Sequence, residues 1–309
     1  MRSLASLALC LLLAGCHRAD SSRPLFVIIV PSQDNPYFKA EADAAAAHAQ
    51  RLGYRTRVDA HDDDAYRQDN LVDAAIASGA RAIVLDNAGA DSSISAVRRA
   101  TNAGIPVFLI DRQIQATGIA KAQIIADNHQ GSQIVAEEFA RATGGHGEYV
   151  ELLGRESDTN AQVRTTGFHE VLDLIPGLKL VAAQSANWSQ SEAFQKTETM
   201  LQSHSNIAGI VAGNDTMALG AAAAVKSAQK SHIVITGFDG SPEVVDAIRS
   251  GVIAATSLQP AVIIARLAVD EAVQYLRTGS TGKPEKQIIP CDLVTRSNAG
   301  DYGNFEKIR

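Results

Sequence analysis

Cysteine is scarce in this chain, tryptophan occurs once, and charges of one sign never run long. Each shortage removes a class of protein. The cysteines are Cys10, Cys16 and Cys291; the first two fall in an N-terminal processing segment, so Cys291 has no intramolecular partner and a disulfide framework is excluded. Cys291 follows Pro290 at the end of Gln287-Ile288-Ile289 and reads as a buried, inert thiol. The net charge of −6 over 309 residues, without a basic stripe, excludes a nucleic-acid footprint. No nucleophile elbow, zinc-ligand spacing or Cys/His pairing is present, so neither a metal nor a cofactor is expected. His61-Asp62-Asp63-Asp64 resembles a metal tract, but between a strand and a helix it reads as a solvated loop with N-capping acids. Gly144-Gly145-His146-Gly147 lacks the Lys-Ser/Thr of a phosphate loop and joins a helix to a strand, so it is a turn.

The length suits two domains. Arg2 gives a minimal positive n-region, and the apolar stretch Leu4 to Leu13 is too short to span a bilayer. It ends in Leu13-Ala14-Gly15-Cys16, which resembles the lipobox of bacterial lipoproteins. That resemblance implies a signal peptide over 1–15, cleavage before Cys16 and acylation of Cys16, with residues 16–23 as a tether. The alternative is an ordinary secretory signal with a coincidental Cys. On either reading the mature chain is exported.

From Pro24 the pattern is regular. Leu25 to Val30 is a continuous apolar run of strand length, the mark of a strand buried on both faces. Pro36 to Arg51 is Ala-rich and helical, with Pro in its first turn and Gly53 past its end. Strands at Tyr54 to Val58, Arg81 to Leu85 and Val107 to Ile110 alternate with helices at Ala65 to Ser78 and Ser92 to Asn102. This βαβ succession calls for a parallel sheet with crossover helices. The pattern then restarts, with strands at Gln123 to Ala126, Glu148 to Leu152, Lys179 to Ala183, Gly209 to Ala212 and Ile233 to Thr236. A helix over Pro260 to Arg277 and a last strand near Gln287 to Cys291 follow. Ala82-Ile83-Val84-Leu85-Asp86-Asn87 echoes Gly209-Ile210-Val211-Ala212-Gly213-Asn214-Asp215. The repeat points to two copies of one sheet facing each other, with strand-end loops lining a cleft between them.

Short polar and aromatic clusters sit at those strand ends. Tyr37 and Phe38 follow Asn35-Pro36 on the first turn of a helix, where adjacent aromatics cannot both face the core. Trp188 lies in a polar loop after a strand, either stacking on a flat ligand or packing. Asp111-Arg112 and Asp239 offer acceptors and a planar donor fork for vicinal hydroxyls, or a structural ion pair at a strand end. The mixture suits a small polyhydroxylated molecule. Asp111 and Asp239 could in principle serve a glycosidase, but neither has the apolar pocket or accompanying Glu of a raised-pKa acid.

From about Pro24 to Val294 these residues, in this order, resemble the periplasmic sugar-binding proteins of the ribose/galactose type, solute receptors of ABC importers, nearest their ribose-binding branch. The resemblance implies two doubly wound parallel-sheet lobes joined by a three-strand hinge, the type I periplasmic binding protein fold. It implies an N-terminal lobe of 24–126 and 260–288 and a C-terminal lobe of 127–259 and 289–309. Carried over by motif, the ligand-binding residues are Asn35, Tyr37 and Phe38; Asp111 and Arg112; Arg164 from Arg164-Thr165-Thr166-Gly167-Phe168; and Trp188 at a stacking position. Asn214 from Gly213-Asn214-Asp215, Asp239 from Gly237-Phe238-Asp239-Gly240 and Gln259 from Thr256-Ser257-Leu258-Gln259-Pro260 complete the set. Tyr37 and Trp188 replace Phe, and Gln162 stands where a further Arg is usual.

The implied activity is capture of a monosaccharide or polyol by hinge closure about crossings near Ala126-Asp127, Leu258-Gln259 and Ile288-Ile289. No enzymatic step is implied. The implied partners are an ABC transporter permease and a membrane reached through the lipid anchor, in the periplasm or at the cell surface, with the protein a monomer. A sugar sensor for a membrane kinase or chemoreceptor is the alternative. A repressor sharing the fold would need a basic helix-turn-helix where the signal segment stands.

Overall fold

The structure is a computed structural model that describes residues 23–309. The expected signal peptide, the acylation site Cys16 and all but the last residue of the tether lie outside the described residues. The first half runs β1 (Leu25–Val30), α1 (Pro36–Arg51), β2 (Arg55–Ala60), α2 (Ala65–Ala77), β3 (Ala82–Leu85), α3 (Ile94–Asn102), β4 (Val107–Ile110) and β5 (Ala122–Ala126). The alternation resumes with α4 (Asn128–Ala142), β6 (Gly147–Leu153), α5 (Thr159–Leu172), β7 (Leu178–Ser185) and α6 (Gln190–Ser203). It continues through β8 (Ile207–Ala212), α7 (Asp215–Ser227), β9 (Val234–Asp239), α8 (Pro242–Ser250) and β10 (Ala255–Leu258). The chain closes with α9 (Ala261–Thr278), β11 (Lys286–Ile289), β12 (Asp292–Thr295) and a hairpin of β13 (Tyr302–Gly303) and β14 (Glu306–Lys307).

Two six-stranded sheets result, ordered β2-β1-β3-β4-β5-β11 and β7-β6-β8-β9-β10-β12. The strand order of one repeats in the other, as the echo between the halves predicts. Central strands such as LFVIIV, AIVL and VFLI are buried nearly throughout, which their unbroken apolar runs require. The edge strand β2, Arg-Thr-Arg-Val-Asp-Ala, is only half-buried along its length and starts and ends later than expected. Helix starts are fixed by side-chain caps: Asn35, Asp158 and Asn214 each accept a backbone N–H of α1, α5 and α7. Each such cap contributes about 1 kcal/mol.

The chain passes between the lobes three times. After β5 it enters α4, which packs on β8, β9, β10 and β12; after β10 it enters α9, which packs on α1, β4 and β5. The third passage differs from expectation. The single last strand is two strands: Ile289 still pairs with Ala126 in the first sheet, whereas Asp292 pairs with Leu258 in the second. The break falls at Pro290-Cys291, where Pro cannot donate to a ladder. β12 therefore runs antiparallel to β10. The two sheets face each other by their carboxyl edges, so a strand continuing straight across enters the second sheet against its direction. Cys291 is 4 % exposed, burial pushes its thiol up to about 12, and its backbone exchanges two hydrogen bonds with the Gln130 side chain of α4. The tail also departs from expectation. Residues 289–309 do not all stay with the second lobe: Phe305 packs edge-on against Tyr37 at 5.5 Å, and Glu306 pairs with Arg266 of α9.

Candidate functional site

The carboxyl-end loops of both sheets converge on one cavity with an empty volume of about 240 Å³. All ten residues expected to bind ligand line it, together with Asp158 and Asn160. Three of these residues hold left-handed backbone: Asp111 at φ 56°, Trp188 at φ 65° and Asp239 at φ 127°. Non-glycine residues rarely adopt such angles, and strain of this kind gathers at functional sites.

On the first-lobe side the centre is Arg112, 2 % exposed. Its guanidinium lies 2.7 Å from Asp63, 2.8 Å from Asp158, 3.5 Å from Asp86 and 3.7 Å from Asp111. The Phe38 ring covers it at 5.0 Å. So many carboxyls cannot all ionise beside one cation. Burial pushes Asp86 well above the usual carboxylate range and Asp111 up to about 6, against the pull of Arg112. Asp63 is held below that range because Arg112 and Arg155 outweigh its burial. The Tyr37 hydroxyl donates to Asp111 at 3.2 Å, and Asn35, half-buried, caps α1 through Tyr37 N.

The second-lobe side is built on Arg164 of α5. Its Nε donates to Asn128 Oδ1 at 2.7 Å and its Nη1 to the Gly213 carbonyl at 2.8 Å and to Asp239 at 3.3 Å. It stacks on Phe238 at 3.9 Å and on Trp188 at 5.3 Å. Gln259 donates to Asp239 at 2.8 Å, and Asn214 caps α7 through Met217 N. Burial holds the Asp239 carboxyl well above its ordinary value despite Arg164. Among the described residues, Arg112 Nε and Nη2 and Gln259 Oε1 are buried side-chain atoms without a hydrogen-bond partner, Nε being met by the charge of Asp158 at 2.8 Å. Such atoms carry a desolvation cost of about 1–3 kcal/mol until a partner meets them.

Several expectations are corrected. Tyr37 and Phe38 are both buried, at 2 % and 7 %: Phe305 of the tail packs on Tyr37, and Arg112 lies over the Phe38 ring. Trp188 lies on the expected loop, between β7 and α6, but is 7 % exposed and donates its indole N–H to Asp158 at 3.1 Å. The acidic tract is not simply solvated. Asp64 caps α2, but Asp63 pairs with Arg112, and His61 is fully buried, donating to the Asp86 carbonyl at 2.8 Å. Of the two roles left open for Arg112 and Asp239, ion pairing is present, though not with each other: Arg112 lies 2.8 Å from Asp158 and Asp239 3.3 Å from Arg164. Gln162 is exposed and lines no part of the cavity. Asp158 and Asn160 were missed, although Asp158-Thr159-Asn160 opens a helix just after a strand end, the signal that picked out Asn35 and Asn214.

Comparison with known proteins follows the geometry. Residues 26–281 match the family described as periplasmic binding protein domain. The D-apiose import binding protein of Paraburkholderia graminis is 58% identical over 281 residues, covering 91% of this chain and 90% of that protein. The D-apiose import binding protein of Actinobacillus succinogenes is 51% identical over 306 residues, covering 99% of each. An ABC transporter periplasmic solute binding protein from Actinobacillus succinogenes, solved with bound D-allose, superposes with a TM-score of 0.85 at 26% identity, covering 91% of this chain and 100% of that one.

Proposed function

Because the chain belongs to the periplasmic binding protein family, we propose that it is an exported receptor that captures a small sugar between its lobes by hinge closure and delivers it to an ABC importer. The observation that carries this reading is the buried cavity lined from both lobes by strand-end acids, amides, arginines and aromatics. D-apiose, a branched pentose, is the ligand that the two relatives' names favour. Those names also favour import over sensing.

Sugar hydroxyls would meet Arg112 Nη2 and Gln259 Oε1 and bridge the two polar walls. A ligand touching both lobes binds the closed state better than the open one and so shifts the equilibrium towards closure. The lobes are 24–126 with most of 260–289, and 127–259 with residues 291–302, turning about the three passages, while Phe305 and Glu306 of the tail reach back to the first. Burial raises both Asp111 and Asp239, against the expectation that neither would be a raised-pKa acid. The reading of binding without chemistry therefore rests on the family and its import binding proteins: sugar incubated with the protein is expected back unchanged, and its conversion would contradict the reading. The protein acts as a monomer in the periplasm, anchored through Cys16, and Cys16→Ser is expected to move it to the soluble fraction; unchanged partitioning with membranes contradicts the anchor.

The test of ligand is a thermal-shift and calorimetric comparison of D-apiose with D-ribose, D-allose and myo-inositol. D-apiose is expected to bind with one site and to raise the melting temperature most, since a ligand of the folded state alone stabilises it. A larger shift with another sugar reassigns the ligand, and no shift with any of them contradicts sugar capture.

A further inference from the structure

The loop from Arg155 to Asp158, after β6, carries a carboxylate with three attachments. Asp158 Oδ1 caps α5 through Asn160 N at 2.9 Å. Asp158 Oδ2 accepts the Trp188 indole N–H at 3.1 Å and lies 2.8 Å from Arg112 Nε. Trp188 belongs to the same lobe as Asp158; Arg112 belongs to the other. The same loop crosses the cleft twice more, where Arg155 reaches Asp63 at 3.4 Å and the Ser157 carbonyl accepts Ala90 N at 3.4 Å. Asp63 in turn holds Arg112 Nη1 at 2.7 Å. The guanidinium is thus held between Asp158 of the second lobe and Asp63, Asp86 and Asp111 of the first, and its Nη2 has no hydrogen-bond partner among the described residues. On the other side of Asp158, the Trp188 ring is confined by Gly154 and Gly213, where an added Cβ would crowd or strike it.

We propose that Asp158 is the positioning residue of this site: as the lobes close, it locks the first-lobe cation Arg112 and the second-lobe wall Trp188 into one arrangement, so that closure and shaping of the cavity are a single event. This rests on the sugar-capture reading above. The indole contact lies within one lobe and persists when the cleft opens, whereas the Arg112 contact exists only across it. Loss of Asp158 therefore acts first on the lifetime of the closed complex.

Two substitutions separate this role from that of a helix cap. Asp158→Asn keeps the side-chain bulk and the cap, but its amide NH2 replaces the oxygen that faces the indole and Arg112; Asp158→Ser keeps the cap and reaches neither partner. With D-apiose as the probe and the single Trp as the reporter, Asp158→Asn is expected to dissociate about tenfold faster with association nearly unchanged. Asp158→Ser is expected to weaken binding about a hundredfold and to raise acrylamide quenching of Trp188 in the ligand-free protein. Both should melt close to the wild type, since both retain a cap. Wild-type affinity and quenching in Asp158→Ser would overturn the proposal, as would a loss of affinity matched by an equal loss of melting temperature in both variants. If D-apiose fails to bind even the wild type, the sugar reading fails instead. Trp188 quenching in the ligand-free proteins then decides for Asp158: a rise in Asp158→Ser supports it and no change overturns it.

Discussion

The two walls of the cavity each hold a buried arginine, and they hold it by different means. Arg112 is surrounded by four carboxylates within 3.7 Å. Arg164 has one carboxylate, Asp239, and otherwise neutral acceptors and two aromatic faces. Behind Arg112 lies Glu41, fully buried, its carboxyl oxygens without a hydrogen-bond partner among the described residues and its pKa raised by burial. The first wall is thus a charge cluster that stays folded because one cation is shared and some of its acids stay protonated. The second is a hydrogen-bonded and stacked lattice close to neutral. The comparison teaches that similar strand-end chemistry can be balanced by shared charge on one wall and by neutral acceptors and aromatic faces on the other.

The largest effect should come from removing the shared cation. Arg112→Met is expected to cost about 3–5 kcal/mol of folding stability, as when a buried pair loses one partner. Arg164→Met should cost about 1–3 kcal/mol, because its acceptors are mostly neutral. Denaturant unfolding of both measures the difference, and equal losses would break the comparison. Next in size, Asp239→Asn should leave stability nearly unchanged, since burial already disfavours a charge there and the amide oxygen can still accept from Arg164 and Gln259, while sugar binding weakens by about 1–3 kcal/mol because an NH2 replaces the second acceptor oxygen. Calorimetry and melting on the same sample decide; a stability loss with affinity kept would make Asp239 structural. Smaller again, Gly154→Ala drives a methyl into the Trp188 ring. It should cost about 1–3 kcal/mol by overpacking and change Trp188 emission, whereas unchanged emission would mean that the ring is not confined.

The smallest effect separates the lobes by pH. His61, behind Arg112, is held at about 4, chiefly by burial. A folded value below the ordinary 6.5 means that its contribution is present above pH 6.5 and lost as pH falls through about 4. His169, on α5, is raised to about 9, first by its hydrogen bond to Glu151. Its contribution is complete below pH 6.5 and lost as pH rises through about 9. The melting difference between wild type and His61→Gln should therefore shrink in acid, and that for His169→Gln should shrink in base. Differences independent of pH would contradict both assignments.

Much of this was legible in the chain. β1, β3 and β4 were plain because a strand buried on both faces must be apolar throughout, and Asn35, Asp111 and Asp239 were plain because they follow such runs. What was hidden depends on distant chain segments. Burial of Tyr37 draws on Phe305 from the far tail, and that of Phe38 on Arg112 from another strand end. The role of Asp63 needs Arg112 and Arg155, which reach it from other loops. Asp158 and Asn160 follow β6, whose strand end carries no motif beyond a capping acid. The split at Pro290 was readable from the proline, but the reversed direction of β12 follows only from how the sheets face each other.

The central claim is that the lobes close on a sugar held between the two walls. Calorimetric titration of D-apiose into the exported protein, followed in parallel by small-angle scattering, tests it most directly. The account predicts one saturable site per chain, a smaller radius of gyration on binding, and loss of both in Asp239→Asn at the same sugar concentration. A radius unchanged at saturation, or binding that survives in Asp239→Asn with full affinity, would contradict it.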